Sequence, residues 1–417
     1  MSRYKPYPAY EDSGVEWIGK VPKHWQVFRL ANIGRLIKGN GGTKEDDADE
    51  GMPCIRYGDL YTTYDSCIRE IAKFIRPESA PAYSQIQYGD VLLAASGETL
   101  EEIGKSCVNL DERPAVCGGD VIILRPTHEV EPTYLGYAVG STSAQAQKSL
   151  MGKGFTVIHV YGESLRNLII ASPPRDEQRR IALVLSREMS RIDALIAKKS
   201  RFLELLREKI IALASPAPDE ADVKWVKVLH ACDVISRPVQ QQVGSSYTKL
   251  GLFNRGRGIF KKDETDTEDM GESEFFWVNS GDLILSGQFA WEGAVALADD
   301  EHDGSVVSHR FHVLRGRKDV AFTECLFAYF LSKHGEFVLN ECSRGSAGRN
   351  RPLNINLLLN SKIPVLPMRV QKQIARLVKV ERLSRDRVRR SITLLKERRS
   401  ALITAAVTGQ IDLREAT

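Results

Sequence analysis

Residues Pro173-Pro-Arg-Asp-Glu-Gln-Arg-Arg-Ile-Ala182 reveal how the chain is organised, because their pattern returns in the second half of the chain. The matching pairs, 193 positions apart, are Pro174 and Pro367, Gln178 and Gln371, Ile181 and Ile374, Ala182 and Ala375, and Asp193 and Asp386. Further along, Leu205-Leu-Arg-Glu-Lys209 matches Leu394-Leu-Lys-Glu-Arg398 at an offset of 189. Similarity at a nearly constant offset predicts two copies of one structural unit, each about 190 residues long.

A longer and more divergent part precedes each copy of this stretch. Gly89-Asp-Val-Leu-Leu93 matches Gly281-Asp-Leu-Ile-Leu285, and the dipeptide Leu124-Arg125 matches Leu314-Arg315. These parts, roughly residues 20–173 and 222–366, are rich in glycine, turn residues and short β-branched runs. Such a composition favours short strands joined by loops. We therefore expect two α+β domains.

Each copy of the opening stretch begins a heptad pattern. The apolar positions of the first copy are Leu185, Met189, Ile192, Ile196, Leu203, Leu206, Ile210 and Leu213, and those of the second are Ile374, Val378, Val388, Ile392, Leu395, Leu402 and Ala406. Steps of alternating fours and threes are typical of long packed helices. The first helix is predicted from Asp176 to Ala214, which spans roughly 58 Å at about 1.5 Å per residue. We expect the two seams to pack against each other, with an intermolecular coiled coil as the alternative.

Composition and charge narrow the class of protein. A hydrophobic fraction of 42% in 417 residues is enough for two or three cores. The seven cysteines are scattered without a C-x-x-C pair, so we expect reduced packing residues. The chain lacks a long apolar run and an apolar signal-peptide core, which favours a cytoplasmic protein that does not associate with membranes.

The positive charge is concentrated in one segment. Residues 368–400 contain twelve Lys/Arg against three acidic residues, whereas the whole chain has a net charge of only +4. A basic stripe suits a polyanion such as DNA. A solvated helix face is the alternative interpretation of the segment taken alone.

The sequence resembles the specificity subunits of type I restriction-modification systems, essentially from end to end. The resemblance rests on residues 10–25 (YEDSGVEWIGKVPKHW), residues 173–182 (PPRDEQRRIA) and residues 402–413 (LITAAVTGQIDL). It implies two target-recognition domains separated by two antiparallel helices that form a coiled coil with pseudo-twofold symmetry. It also implies a bipartite double-stranded DNA target, two adenine-N6 methyltransferase subunits and motor-nuclease subunits as partners. One departure is the first helix ending, Ser215-Pro-Ala-Pro218, which replaces the threonine-glycine ending of the second copy.

Motifs of an enzyme are missing from the sequence. Ser172-Pro-Pro-Arg175 lacks the acid or amide and the aromatic residue of an adenine methyltransferase motif, and Gly97 to Ser106 has six residues between its glycines where a phosphate-binding loop has four. The histidines show no metal-ligand or triad spacing. We therefore predict a non-catalytic subunit without cofactor or metal.

DNA contacts need Arg or Lys for guanine and Asn or Gln for adenine on loops where glycine allows close approach. Candidates in the first domain are Lys38, Asn40, Lys44, Arg56, Tyr57 and Lys153. Candidates in the second are Asn254, Arg255, Arg257, Gln288, Trp291, Arg344, Arg349, Asn350 and Arg351. We expect the 344–351 loop to matter most, because it precedes the second helix as the 152–155 loop precedes the first. An ordinary solvated loop is the alternative for each residue.

The expected organisation has four parts. They are an N-terminal segment with the first recognition domain (1–174), a central helix (175–215), the second recognition domain (216–367), and a distal helix with a C-terminal tail (368–417). A stand-alone DNA-binding regulator and a coiled-coil scaffold are the rival functions. Two fused copies make a second chain unnecessary for bipartite reading, and the basic helix argues against a scaffold without nucleic acid.

Overall fold

The computed structural model describes residues 4–217, 220, 222–271, 273–343, 345 and 351–415. The chain forms two compact units. The first unit comprises residues 1–197 and 391–417, and the second comprises residues 198–390. Each unit therefore contains one α+β part and a piece of both long helices, because a helix that starts in one unit ends in the other.

Short strands dominate the first unit. They are β1 (Tyr10–Asp12), β2 (Lys20–Pro22), β3 (Gln26–Arg29), β4 (Gly34–Lys38), β5 (Asp47–Ala48), β6 (Met52–Ile55), β7 (Cys67–Ile68), β8 (Phe74–Ile75), β9 (Ser84–Ile86), β10 (Val91–Ala94), β11 (Ser96–Gly97), β12 (Ser106–Asn109), β13 (Ala115–Cys117), β14 (Val121–Pro126), β15 (Ile158–His159) and β16 (Ile169–Ser172). Two five-stranded sheets run in the orders β4-β14-β10-β12-β7 and β5-β8-β6-β13-β9, and the pairs β1-β2, β11-β15 and β16-β3 complete the unit.

The second unit has fewer and longer strands. They are β17 (Lys224–Lys227), β18 (Cys232–Ile235), β19 (Ser246–Leu252), β20 (Ile259–Asp266), β21 (Phe275–Val278), β22 (Leu283–Ser286), β23 (Val295–Leu297), β24 (Ser305–Ser308), β25 (Phe311–Gly316) and β26 (Lys362–Val365). They form two four-stranded sheets, β18-β25-β22-β23 and β20-β19-β24-β21, and the pair β17-β26.

The helices are α1 (Leu30–Ile33), α2 (Tyr57–Thr62), α3 (Pro132–Val139), α4 (Thr142–Met151), α5 (Gly162–Leu165), α6 (Arg175–Leu213), α7 (Val228–Ala231), α8 (Thr323–Phe330), α9 (Lys333–Glu341), α10 (Ile355–Asn360) and α11 (Met368–Val407). Five helices occur in the same order in both copies, and α2 lies in the first copy. The structure places α6 within one residue of the predicted bounds at each end.

Strand register confirms the internal repeat. In the first unit Val91 pairs with Leu124, and in the second Leu283 pairs with Leu314. These are the residues that the sequence comparison matched between the copies. The order β4-β14-β10-β12 also corresponds strand for strand to β18-β25-β22-β23. The α+β fold class with two long helices is confirmed.

The predicted seam is intramolecular in both units. In the first unit Leu185 and Met189 of α6 share a buried core with Ile403 and Ala406 of α11. In the second unit the other ends of the two helices meet, and Ile210 shares a core with Ile374 and Val378. The start of one helix therefore packs with the end of the other in each unit, which is an antiparallel arrangement.

A repeated glutamine ties each α+β part to the start of a long helix. Gln178 accepts a hydrogen bond from the Glu131 backbone N–H at 2.9 Å and donates to the Pro173 carbonyl at 2.9 Å. Gln371 accepts from the Phe322 N–H at 2.8 Å and donates to the Leu366 carbonyl at 2.8 Å. Both side chains are buried, so these bonds satisfy backbone groups that water cannot reach.

A second repeated feature is an ion pair made by a buried aspartate just before the central strand. Asp90 accepts from Arg125 at 2.7 Å, and its counterpart Asp282 lies 2.8 Å from the Arg315 guanidinium. Six of the seven cysteines are buried and none forms a disulfide, as expected for packing residues. No helix in the described part of the chain is both long and apolar enough to cross a membrane.

Candidate nucleic-acid interface

Four predicted DNA contacts of the first unit line one open cavity. Lys38, Asn40, Arg56 and Tyr57 surround a space of about 340 Å³. Lys38 ends strand β4, whereas Arg56 and Tyr57 mark the start of α2 after strand β6. The structure therefore brings two separate loops to one site.

Glycines make this cavity possible. A Cβ on Gly39 would stand 2.2 Å from the Gly118 carbonyl oxygen, so no larger residue fits there. Gly41 has a φ of +82°, and a Cβ on it would lie 2.8 Å from the Tyr83 ring. The Gly119 N–H donates to the Gly41 carbonyl at 2.7 Å, which joins the two glycine loops. The close packing of these loops leaves Gly42 exposed and Gly41 and Gly119 partly exposed at the cavity.

The Arg56 guanidinium is held in place at the rim of the cavity. It lies 2.6 Å from an Asp47 carboxylate oxygen and donates to the Thr43 carbonyl at 2.5 Å. The neighbouring Asp46 accepts hydrogen bonds from the side chains of Ser79, Tyr83 and Thr43, and these bonds lower its pKa to about 2. Asp46 therefore stays ionised and hydrogen-bonded well below neutral pH, and the same loop supplies the Asp47 and Thr43 contacts that hold Arg56.

The remaining candidates of the first unit lie elsewhere on its surface. Lys44 is exposed in a short 3-10 turn and does not line the cavity. Lys153 is exposed in the 152–155 loop, where its backbone pairs with His159. The adjacent Phe155 is fully solvent-exposed. These residues form a separate part of the surface from the glycine cavity.

An aromatic residue organises the candidates of the second unit. The Arg351 guanidinium stacks over the Trp291 ring at 5.1 Å from its centroid. Arg351 also donates to the Asn340 side-chain oxygen at 2.6 Å and to the Ser343 carbonyl at 3.3 Å. The Trp291 indole N–H donates to the Gln288 carbonyl at 3.2 Å. Arg351 thus braces Trp291, and Gln288 beside it is exposed.

The 254–257 loop joins the same cluster. The Arg255 N–H donates to the carbonyl of Glu292 at 2.9 Å, and Glu292 directly follows Trp291 in the chain. The Asn254 side chain donates to the Glu292 carboxylate, so its amide is engaged within the protein. Arg255 has a φ of +58°, an unusual value for a residue with a side chain, and this side chain is exposed. Arg257 is exposed and stacks over Phe253 at 5.4 Å.

Comparison with known proteins relates the chain to one family. Residues 22–204 match the family model described as the type I restriction modification DNA specificity domain. The chain is 21% identical over 391 residues to the type I restriction enzyme StySPI specificity subunit of Salmonella potsdam, covering 86% of this chain and 82% of that protein. Residues 22–204 therefore carry a type I DNA specificity domain, and most of the chain is similar to a type I specificity subunit.

Two further similarities agree with the family. The chain is 29% identical over 201 residues to a putative type I restriction enzyme MjaX specificity subunit of Methanocaldococcus jannaschii, a match that covers 46% of this chain and 44% of that relative. A solved chain described in terms of complex assembly and conformational transition of the type I R-M system has the same fold. It aligns with a TM-score of 0.60 at 19% identity and covers 93% of this chain and 98% of its own. Specificity subunits recognise DNA and are not themselves catalytic.

The sequence prediction missed three residues at the first site. Gly118, Gly119 and Asp120 line the cavity with Lys38 and Asn40. The adjacent glycines at positions 118 and 119 were a usable signal in the sequence. Only the pairing of β13 with β6, however, brings these residues near Arg56. Arg344, Arg349 and Asn350 of the second site lie outside the residues that the structure describes.

The basic helix α11 is largely exposed, as its charge suggested. Nine of the twelve cations between residues 368 and 400 are exposed along α11. The three that are partly buried have acidic partners: Arg382 lies 3.3 Å from Asp299, Arg385 lies 2.5 Å from Glu381, and Arg399 contacts Asp65. Most of the charge on the helix therefore remains available to a polyanion.

One group in the described residues has the composition of a metal site. Asp299, Glu301 and His302 place carboxylate and imidazole atoms within 4.8 Å of one another. Arg382 already pairs with Asp299, and burial lowers the pKa of His302. The His302 ring also lies 2.5 Å from Asp299. These contacts explain the cluster as a local network without requiring a metal ion.

Proposed function

We propose that this specificity subunit reads a bipartite double-stranded DNA target, with one half-site for each structural unit. The observation that carries the proposal is the repeat itself: two copies of one fold each present Asn, Gln, Lys or Arg side chains beside exposed loop backbone. Asn40 and Lys38 are the readers proposed for the first unit, and Gln288, Arg255 and Arg257 for the second. Because Arg351 and Asn254 are engaged within the protein, we assign them to positioning the second site.

The remaining predicted residues complete the proposed contact surface. Arg56, Lys44 and Lys153 suit phosphate contacts, because each is a cation at the rim of a loop. Tyr57 and Trp291 suit packing on sugars or bases. The proposed organisation keeps recognition domains at 1–174 and 216–367 and helices at 175–215 and 368–417. We propose that it acts in the cytoplasm, with two methyltransferase subunits and with motor-nuclease subunits as partners.

A matched pair of variants tests this assignment. Asn40→Ala and Gln288→Ala each remove one amide that suits adenine readout, which is worth about 1–3 kcal/mol, or roughly a fivefold to 150-fold loss of affinity. The assay measures binding to duplexes in which each half-site is scrambled separately. Scrambling one half-site should not weaken DNA binding by Asn40→Ala any further. Scrambling the other half-site should not weaken DNA binding by Gln288→Ala any further.

The exposed Lys23, which lies outside both candidate sites, provides the control, and Lys23→Ala should bind like the unaltered protein. Equal weakening of both variants on every sequence would mark these side chains as phosphate contacts. Methylome sequencing of cells that express the chain with its methyltransferase tests the partner assignment. A bipartite N6-adenine motif is expected, and a continuous motif or none would contradict the proposal.

A further inference from the structure

The first unit contains a second cavity, which we call the lysine cavity, that the DNA-contact proposal does not use. It has a volume of about 460 Å³ and lies among strand β12, the start of α4 and residues 396–403 of α11. Its charged lining residues are Asp65, Lys105, Lys148, Asp193, Lys396 and Arg399. Its hydroxyl-bearing lining residues include Ser106 and Thr142.

A buried hydroxyl in this cavity has no partner. Ser106 is only 3% exposed, and its Oγ forms no hydrogen bond with any described residue. Buried polar groups are normally hydrogen-bonded, because losing water without gaining a partner destabilises the folded state. An unpaired Oγ lining a cavity is therefore a vacant donor and acceptor for a ligand.

A fully buried lysine, Lys148, lines the same cavity. The Lys148 Nζ donates to the Gly104 carbonyl at 2.8 Å and to the Val139 carbonyl at 3.1 Å. Among the described residues no carboxylate forms an ion pair with it. Burial, with a smaller contribution from nearby Lys105, lowers the pKa of Lys148 to about 7. A bound anion would stabilise the protonated form of this lysine.

The second copy of the repeat shows that the fold does not need these polar groups. The register of β10 with β12 and of β22 with β23 makes Val295 the counterpart of Ser106. Helices α4 and α9 are capped alike by Ser141 and Ser332, so Lys148 corresponds to Leu339. Val295 and Leu339 are fully buried hydrophobic residues of an ordinary core.

The cavity retains positive charge after its internal ion pairs are counted. Arg399 contacts Asp65 and lies 3.2 Å from Asp193, and Lys105 lies 3.7 Å from Asp65. Four cations therefore face two carboxylates. The N-terminus of the ten-residue helix α4 adds the positive end of its dipole, although the Thr142 N–H already donates to Thr404 Oγ1 at 3.1 Å.

We propose that the lysine cavity binds a phosphate group, held by Lys105, Lys148, Lys396 and the Ser106 hydroxyl. A compact oxyanion accepts hydrogen bonds from several donors at once, and ammonium groups are common phosphate ligands. The volume of the cavity falls within the range of about 300–1,000 Å³ that is usual for small-molecule sites. The phosphate group belongs either to a small free anion or to a DNA backbone. This site is independent of the base-reading residues proposed above.

Titration of the full chain with inorganic phosphate tests the proposal. Potassium chloride keeps the ionic strength constant, so simple screening does not contribute. Calorimetry should show saturable binding, and amide hydrogen exchange should slow in β12 and at the start of α4. Ser106→Val copies the second unit, which shows that valine fits such a strand, and it should weaken phosphate binding at least tenfold.

Two further variants separate binding from folding. Lys105→Ala removes a partly exposed cation and leaves the core intact, so it should also weaken binding several-fold even if Ser106→Val is poorly folded. Lys23→Ala, at an exposed site in the same unit, should bind phosphate normally. Absence of saturable binding to the unaltered chain, or undiminished binding by both Ser106→Val and Lys105→Ala, overturns the proposal.

A duplex of scrambled sequence identifies the source of the phosphate. If the duplex slows exchange in the same amides and competes with inorganic phosphate, a DNA backbone supplies the group. If only inorganic phosphate does so, the ligand is a small free anion. Both results support a phosphate site in the lysine cavity.

Discussion

Replacing Gln371 with leucine tests how the α+β part of the second unit is joined to the long helix α11. The amide side chain accepts from the Phe322 N–H at 2.8 Å and donates to the Val320 and Leu366 carbonyls at 2.9 and 2.8 Å. Leucine has a similar volume but forms none of these bonds. The substitution therefore removes three hydrogen bonds while changing the packing little.

The expected loss of stability follows from the burial of the Gln371 side chain. Gln371 is 2% exposed, so its three backbone partners lose their bonds in a site with little access to water. Each unsatisfied buried group costs about 1–3 kcal/mol, and the carbonyls retain a second lone pair that other donors can reach. Taking the lower value for each, we expect the second unit to lose about 3 kcal/mol. This corresponds to roughly a hundredfold larger population of the locally opened state.

Amide hydrogen exchange measures this opening at the bond itself. The Phe322 N–H should exchange roughly a hundredfold faster in Gln371→Leu, because exchange follows the free energy of local opening. The Glu131 N–H in the first unit should be unaffected. Gln178→Leu should produce the reverse pattern, since Gln178 accepts from the Glu131 N–H at 2.9 Å.

The exposed Gln373 on the same helix provides a matched control, and Gln373→Leu should leave both amides unchanged. Equal acceleration of Phe322 and Glu131 by Gln371→Leu would refute the assignment of the two glutamines to separate units. An unchanged Phe322 rate would show that the buried bonds contribute nothing to stability.

Three further predictions concern charge, recognition and spacing. Because the pKa of Lys148 is lowered from 10.5 to about 7, the unfolded chain retains a proton that the folded chain loses between these values. The buried charge of Lys148 therefore destabilises the folded state fully below about pH 7, and this effect is relieved as pH rises. Urea unfolding should show that the stability of the wild-type chain rises relative to that of Lys148→Met between pH 7 and pH 10. Parallel stability profiles would contradict this. Arg351→Ala removes the guanidinium that stacks on Trp291, so it should change Trp291 fluorescence and reduce the affinity for one half-site only, by about 1–2 kcal/mol. Equal loss of affinity for both half-sites would contradict the proposal that Arg351 positions Trp291. Inserting four residues at Lys199 adds roughly 6 Å of helix with about 40° of rotational mismatch, so methylome sequencing should find the same half-sites with one or two more base pairs between them; an unchanged motif would show that the helices do not set the spacing.

The long helices and the repeat were accessible to sequence reasoning because they depend on local periodicity. The heptad positions around Leu185 and Ile210 define an apolar stripe whatever the rest of the chain does. The strand match between Gly89 and Gly281 was likewise visible, since it follows from residue identity at a nearly constant offset. Such signals do not require knowledge of which distant segments meet.

The candidate DNA sites were only partly accessible. Lys38, Asn40, Arg56 and Tyr57 were each chosen for their chemistry, but their shared cavity depends on strand pairings across the first unit. The same limit applied to Arg351, which was predicted as a base contact. Its guanidinium donates to Asn340 and Ser343, contacts that the sequence did not indicate and on which the proposed positioning role rests.

The repeat, the two helices and the chemical classes of residue available for DNA contact follow from composition and from spacing along the chain. The bridging roles of Gln178 and Gln371, and the burial of Lys148 where its counterpart Leu339 forms ordinary apolar core, follow only from the folded arrangement. The physical reason is that hydrogen bonding and desolvation depend on which residues meet in space. These contacts are set by strand register and helix packing between residues that are far apart in the sequence, which local periodicity does not encode.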